Sequence, residues 1–293
     1  ALALTSLGAF AQNLWTPPTP PAGSELVPGE KVYLFNKEAG AFLRGLGEGG
    51  SPYWGSRAGV AIEGCDTIIF QPAVESSILE GTSPLPGASD VVTWDTEWDG
   101  QTYILQNYAS HITSKRWDEV WFGLKDLLTI WVDRQNKPEE NYNFFWNVVK
   151  NANGNYEISV STKSIGIADP DLYASLTTKD ETTGEILSEP AIKGGERTGV
   201  SVTDVNGDVR FEGAAEDLSY EWIIVSQETF ATLDTAKMKV ELALYRAAVD
   251  LKKYLDAKSA EYTEVDFAEV AAVYNNTNST VEELQAAKAK VDA

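Results

Sequence analysis

Residues 144–160 read FFWNVVKNANGNYEISV, and this stretch decides the fold class. Aromatic and β-branched residues, which favour strands, form two short runs on either side of Asn153-Gly154. An Asn-Gly pair between such runs is typical of a tight turn joining antiparallel strands. The segment therefore predicts a hairpin, looser than one with a two-residue turn, that runs from Phe144 to Val149 through Asn153-Gly154 to Tyr156 to Val160.

Two further hairpins are predicted from the same kind of turn. Their sequences are Val91 to Trp98 and Gln101 to Asn107 around Asp99-Gly100, and Val200 to Val205 and Asp208 to Phe211 around Asn206-Gly207. Short strands joined by tight turns at this density predict a mainly β domain.

Three segments containing tryptophan resemble one another, which indicates a threefold repeat. They are Val92-Thr93-Trp94, Phe144 to Val149, and Tyr220 to Val225. A glycine and a strand with tyrosine, at Tyr103 and at Tyr156, follow the first two segments. We interpret each tryptophan strand as the end of one unit and each tyrosine strand as the start of the next. Ile68 to Pro72 is a rival closing strand for the first unit, but the hairpin around Asp99-Gly100 favours Trp94.

Three such units predict a β-trefoil, in which six strands form a barrel and three hairpins cap it. The opening of the domain resembles ricin-B-like trefoil modules of secreted bacterial surface proteins, through Lys31 to Asn36, Ala39 to Leu43 and Trp54 to Ala58. The resemblance covers residues 30–227 and implies carbohydrate binding without catalysis. The Gln-x-Trp closing motif of the lectin family is absent, so no sugar-binding residue is transferred from that family.

Residues 228–293 predict a helical module, because the apolar period changes from two to about three and a half. The first stripe is Val240, Leu244, Ala247, Leu251 and Leu255. A second helix is expected from Val265, with Asp266 and Glu269 in its first turn and Tyr274 near its end. Thr280 and Glu283 form a capping box for a third helix. The outline is similar to FIVAR-type helical modules of bacterial surface proteins, and we expect the natural protein to continue beyond Ala293.

The first eleven residues, ALALTSLGAFA, predict the end of an export signal. Cleavage after Ala9-Phe10-Ala11 would make Gln12 the new N-terminus; a short buried helix is the alternative. Residues 12–29 contain the sequence TPPTPP and are expected to form an extended spacer without packed structure. We therefore expect an exported protein, extracellular, at the cell surface or in the periplasm. No later apolar run reaches the about 20 residues of a membrane helix.

The formal net charge of -21 repels phosphate, so nucleic acid is an unfavourable partner, as is an anionic membrane surface. The single cysteine, Cys65, excludes a disulfide within the chain and is expected to be a buried small hydrophobic residue.

Composition also argues against an enzyme and against a cofactor. Nucleophilic catalysis most often needs a histidine base, and the one histidine, His111, has no motif around it. Zinc sites built from cysteine and histidine are excluded by the residue counts. Asp204 to Asp208 resembles the start of a calcium loop, but Val209 and Ala215 stand where that loop needs glycine and glutamate.

Asp95, Glu97 and Asp99 would share one face of a strand. This trio is either a cation or sugar site or, as we favour, the solvated acidic face of a half-buried strand.

The chain has nine tryptophans, and exposed aromatic rings can stack on sugar faces. Trp94, Trp146 and Trp222 are expected in the repeat core. The candidate ligand-binding residues lie beside polar groups in loops, and core packing is the alternative for each of them. They are Tyr53, Trp54, Trp117, Asp118 and Trp121.

The sequence therefore predicts a module that binds a glycan or polysaccharide. The first alternative is a structural or adhesive module that contacts a surface protein. A further alternative, from fold analogy alone, is a trefoil-type protease inhibitor. The one indication of it in the sequence is the segment Pro84 to Pro86.

Overall fold

The computed structural model describes residues 14–46, 56–73, 97–107, 110–113, 129–131, 145–160, 178–188, 191–194, 209–212 and 221–292. Its contacts divide the chain into a β unit, Pro20–Leu233, and a helical unit, Asp234–Ala293 together with Ala1–Thr19. The fold class, mainly β with helices at the C-terminal end, is confirmed. The division differs from the expected boundaries, because residues 12–29 belong partly to each unit and the helical unit begins at Asp234 rather than at residue 228.

The described residues of the β unit form fourteen strands and one short helix. Twelve of the strands join a single sheet, and β10 and β11 form a separate hairpin. The strands are β1 Lys31–Asn36, β2 Ala41–Leu46, β3 Ser56–Ala61, β4 Ile68–Pro72, β5 Thr102–Asn107, β6 Ser110–Thr113, β7 Thr129–Trp131, β8 Phe145–Lys150, β9 Tyr156–Val160, β10 Thr178–Lys179, β11 Ile186–Ser188, β12 Ala191–Gly194, β13 Val209–Glu212 and β14 Trp222–Ser226; the helix α1 is Gln227–Ala231.

Six strands of the sheet close into a ring. β1 pairs with β4, β4 with β5, β5 with β8, β8 with β9, β9 with β14, and β14 again with β1, always antiparallel. The remaining strands form three hairpins, β2–β3, β6–β7 and β12–β13, each joined to a ring strand. Closure gives every ring strand a partner on both sides, so the ring has no open edge.

The register of the ring repeats three times. The first strand of each repeat is β1, β5 or β9. Along one edge of these three strands, the paired residues are Val32 with Ile68, Tyr103 with Trp146, and Tyr156 with Trp222. Across the other edge, they are Ser226 with Val32, Pro72 with Tyr103, and Lys150 with Tyr156. Ile68, Trp146 and Trp222 therefore occupy equivalent positions, and all three are 0% exposed. The core of the β unit is built around this layer.

The preference for Trp94 as the closing residue of the first unit is wrong. The place between β1 and β5 is taken by β4, which is the rival strand Ile68–Pro72. The first unit has isoleucine where the other two have tryptophan, so a search for repeated tryptophans finds the wrong segment. Trp94 itself lies outside the described residues.

The hairpin predicted around Asp99-Gly100 is also wrong. Tyr103 on β5 already pairs with Pro72 on one side and Trp146 on the other, so both edges of β5 are occupied there. Trp98 lies in irregular chain, with its Nε1 donating to the Thr102 carbonyl at 2.7 Å.

The hairpin of residues 144–160 is confirmed as β8 and β9, with Lys150 opposite Tyr156. The Asn206-Gly207 turn lies outside the described residues, and the described partner of β13 is β12.

Three helices form most of the helical unit. They are α2 Thr235–Glu261, α3 Ala268–Asn275 and α4 Val281–Asp292. None of the helices in the described part of the chain combines the length and the apolarity that crossing a membrane requires.

The apolar stripe of the first predicted helix is correct at one end only. Leu251 and Leu255 are fully buried, whereas Val240 is 61% exposed. Near the start of α2 the buried residues are instead Met238 and Leu242, which lie about 160° around the helix from Val240.

The second predicted helix begins later than expected. It starts at Ala268 rather than Val265, and Asp266, just before the helix, accepts from the Ala268 amide at 2.9 Å. Tyr274 lies near its end, as predicted, and is buried.

One residue of the expected spacer packs within the helical unit. Residues 14–27 form neither helix nor strand. Trp15, however, is only 8% exposed and belongs to the core of the helices. The expectation of a segment without packed structure is therefore wrong at Trp15.

The predicted capping box of the third helix is confirmed. The Thr280 amide donates to Glu283 Oε2 at 2.8 Å, and the Glu283 amide donates to Thr280 Oγ1 at 3.2 Å. We expect Thr280→Ala to lower the free energy of unfolding by about 1 kcal/mol, because one helix N-terminal amide loses its acceptor. Thermal unfolding followed by far-UV circular dichroism measures this. Thr277→Ala, in the preceding loop, is the control, and an equal loss in both variants would contradict the prediction.

Candidate functional site

The five predicted ligand-binding residues lie outside the described residues, so their placement is known only along the chain. Tyr53 and Trp54 belong to the connection between β2 and β3, and Trp117, Asp118 and Trp121 to that between β6 and β7. These connections are equivalent in the threefold repeat. The strands that follow them pair with each other, with Ser56 opposite Ile130.

The tryptophans whose side chains the structure describes all contact the protein itself. Trp15, Trp146 and Trp222 are buried, and the last two confirm the predicted repeat core. Trp98 adds an edge-on contact with Tyr103, at 5.0 Å between ring centroids, to its hydrogen bond with Thr102. Burial therefore closes three of these four rings to a ligand, and Trp98 is partly buried.

The predicted acidic strand face does not form at its described residues, because residues 97–101 belong to no strand. The Asp99 carboxylate instead caps a turn. It accepts from the Gln101 amide at 3.0 Å, the Thr102 amide at 2.7 Å and the Thr102 hydroxyl at 2.6 Å. Glu97 is exposed, and Asp95 lies outside the described residues. Asp99 therefore serves the fold.

The Cys65 thiol is bonded within the chain. It donates towards the Ala61 carbonyl at 3.4 Å and the Ile62 carbonyl at 3.1 Å. Burial raises the pKa of the thiol to about 12, with a further contribution from Asp66. Cys65 is half-buried rather than buried as expected. Because the thiolate is the nucleophile, the raised pKa makes its thiol a weak nucleophile at neutral pH.

Sequence reasoning missed Glu221, whose carboxylate accepts hydrogen bonds from four donors. Its Oε1 accepts from Asn151 Nδ2 at 3.2 Å and Asn153 Nδ2 at 2.8 Å. Its Oε2 accepts from Lys37 Nζ and Asn155 Nδ2, both at 2.8 Å. We call these five residues the Glu221 cluster. They join the residue after β1, the turn between β8 and β9, and the residue before β14.

The sequence of the β8–β9 turn explains why its three asparagines converge. Asn151 Oδ1 accepts from the Asn153 and Asn155 amides at 3.0 and 3.1 Å, which fixes the turn from within. Gly154 has a φ of 81°, a left-handed conformation that glycine adopts without strain. Alternate asparagines therefore point their amides towards Glu221. The sequence contains one signal for this arrangement, the repeated asparagine around Gly154, but nothing in the sequence identifies Glu221 as the acceptor.

The electrostatics of the cluster strongly favour the charged carboxylate. The hydrogen bond from Lys37 lowers the pKa of Glu221 from its usual 4.5 to about 2, against the opposing effect of burial, and Asn153 and Asn155 add to the lowering. The same pair raises the pKa of Lys37. The Glu221 side chain is 19% exposed and that of Lys37 is 44% exposed, so water partly screens their interaction.

The cluster holds the fold and does not form a ligand site. A carboxylate offers about four lone-pair positions, and Glu221 already accepts from four donors. A cation or a sugar hydroxyl would have to displace one of them. No group of three or more His, Cys, Asp or Glu among the described residues is arranged to hold a metal ion.

Comparison of this chain with known proteins finds little similarity. No family model and no curated protein matches the chain. Among solved structures, it is similar to a chain described as "Structure and mode of action of a mosquitocidal holotoxin", with a TM-score of 0.37 and 11% identity. The match covers 69% of this chain and 18% of that chain, so this chain spans less than a fifth of that protein. At this TM-score, the likeness supports no inference about function.

Proposed function

We propose that the β unit is a β-trefoil and that the chain is a non-catalytic glycan-binding module of an exported bacterial surface protein. One observation supports the trefoil above all others, the closed six-strand ring with its threefold register. The three hairpins outside the ring supply the cap that a trefoil requires. The helical unit is proposed to be a FIVAR-type module, on its three-helix outline.

The described side chains leave ligand binding to the connections between strands. The ring residues that pack the core are buried, and the carboxylates of Asp99 and Glu221 accept from donors of the protein itself. The aromatic candidates fall in two equivalent connections, β2–β3 and β6–β7. In a glycan module, Trp54, Trp117 and Trp121 would stack on sugar faces and Asp118 would accept from a hydroxyl.

A glycan array followed by titration of the best glycan tests this proposal. We expect Trp117→Ala and Trp121→Ala each to weaken binding about tenfold or more, if one stacked ring contributes about 1–3 kcal/mol as in base stacking. The melting temperature should change little. Leu187→Ala is the matched control, because Leu187 is 64% exposed in the β10–β11 hairpin. A blank array, or a large fall in melting temperature for both tryptophan variants, would contradict glycan binding through these rings.

One observation favours a second candidate, a structural or adhesive module that contacts a surface protein. The four tryptophans with described side chains are all used within the protein. If Trp117 and Trp121 follow the same pattern, each substitution by alanine should cost about 3–5 kcal/mol of stability. The protease-inhibitor alternative has less support, since Pro84 to Pro86 lies outside the described residues. Assays against a panel of proteases test it.

Export is part of the proposal and can be tested separately. Cleavage before Gln12 would leave Trp15 in the mature chain, where it packs among the helices. N-terminal sequencing of the protein recovered from its native host should begin at Gln12. A mature protein that retains Ala1 to Ala11 would contradict the export signal.

A further inference from the structure

The helices of the helical unit surround a side chain from the far end of the sequence. Trp15 belongs to one core cluster with residues of all three helices, among them Leu251 of α2, Tyr274 of α3 and Leu284 of α4. Each of these three is 1% exposed or less. A ring 259 positions away from Tyr274 therefore completes the core of the helices.

The hydrogen bond made by Trp15 fills a position that α3 cannot fill itself. Trp15 Nε1 donates to the Tyr274 carbonyl at 2.9 Å. Tyr274 is the penultimate residue of α3, and the last four carbonyls of a helix have no partner within it. The neighbouring Val273 carbonyl is satisfied locally, by Ser279 Oγ at 2.8 Å. The Tyr274 carbonyl is thus an acceptor directed at an indole N–H.

Of residues 14–19, only Trp15 belongs to the core cluster of the helices. Of residues 14–19, Trp15 and Pro18 are buried, whereas Leu14, Thr16 and Thr19 are exposed. The segment has no helix or strand, and its prolines restrict it to extended conformations before it binds. One deeply buried aromatic anchor on an extended segment is the pattern by which grooves recognise peptides.

We infer that α2, α3 and α4 form a recognition groove for an extended, proline-flanked peptide with a tryptophan anchor. Residues 14–18 of the same chain occupy this groove. Recognition has two parts, the apolar cavity that takes the indole ring and the Tyr274 carbonyl that accepts from its N–H. This inference does not depend on the glycan proposal.

The test uses the full chain with a specific protease site inserted between Thr19 and Pro20, both of which are exposed. After cleavage and removal of the N-terminal fragment, the synthetic peptide QNLWTPPTPP, residues 12–21, is titrated by calorimetry and far-UV circular dichroism. We expect one peptide to bind per chain. Its Trp15→Ala version should bind at least about tenfold more weakly, because truncating a buried anchor removes much of the binding energy.

Two controls distinguish specific recognition of the peptide from nonspecific binding. A Leu14→Ala peptide should bind like the parent, since Leu14 is 37% exposed. The uncleaved chain should bind the peptide at least about tenfold more weakly, because its own segment competes at high effective concentration.

The inference can still be tested if the helices unfold once the fragment is removed. In that case, adding the peptide must restore their helicity. No binding up to about 1 mM, no recovery of helicity, or equal binding of the Trp15→Ala peptide would overturn it.

Discussion

Replacing Trp146 or Trp222 by alanine should lower the free energy of unfolding of the β unit by about 3–5 kcal/mol. Both rings are 0% exposed and occupy equivalent positions in the six-strand ring. Each substitution would leave a large cavity in the layer they share with Ile68, and the closed ring limits how far the neighbouring strands can collapse into it. Urea unfolding of each variant, followed by far-UV circular dichroism, measures the loss.

Val149→Ala is the matched control for this prediction. Val149 lies on β8 beside the buried Val148, but its own side chain is 48% exposed. Its truncation should cost no more than about 0.5 kcal/mol. Equal losses for Trp146→Ala and Val149→Ala would show that Trp146 does not pack the core as the structure describes.

Local turn chemistry made part of the β unit predictable. Asn153-Gly154 between two strand-forming runs predicted β8 and β9 correctly, because the turn and both strands lie within one short segment. The capping box of Thr280 and Glu283 was predictable for the same reason. The same kind of local signal failed at Asp99-Gly100, because strands from other parts of the chain occupy both edges of β5 there.

Contacts between distant segments were not predictable in this way. Ile68 occupies a tryptophan position of the repeat, and only strand pairing with β1 and β5 reveals it. The proline-rich sequence around Trp15 predicts a spacer, and nothing in it indicates the helices at the other end of the chain among which Trp15 is buried. The Glu221 cluster joins three separate segments of the chain, and each of its residues by itself is ordinary.

Acid should selectively remove the stabilisation that Glu221 provides. Its pKa is about 2 in the folded chain against a usual 4.5, so the unfolded chain binds the proton more tightly. The stabilisation is therefore fully present above pH 4.5 and is lost as the pH falls towards 2. A pKa difference of about 2.5, at about 1.4 kcal/mol for each pH unit, corresponds to at most about 3 kcal/mol.

Glu221→Gln isolates this contribution from that of the other carboxylates. At neutral pH the variant should be less stable than the parent by up to about 3 kcal/mol, because Lys37 loses its charged acceptor and the new amide group faces donors. As the pH falls towards 2, the parent's Glu221 becomes protonated, and the two free energies of unfolding should converge. Urea unfolding of both proteins at several pH values between 2 and 7 measures the convergence.

Glu157→Gln is the control for position and charge. Glu157 lies on β9 and also accepts from Asn151 Nδ2, at 3.2 Å, but it is exposed. Its substitution should change the stability by no more than about 0.5 kcal/mol at every pH, since exposed polar contacts contribute little. A stability difference between the parent and Glu221→Gln that stays constant from pH 7 to pH 2 would show that the charge of Glu221 does not hold the β8–β9 turn to Lys37.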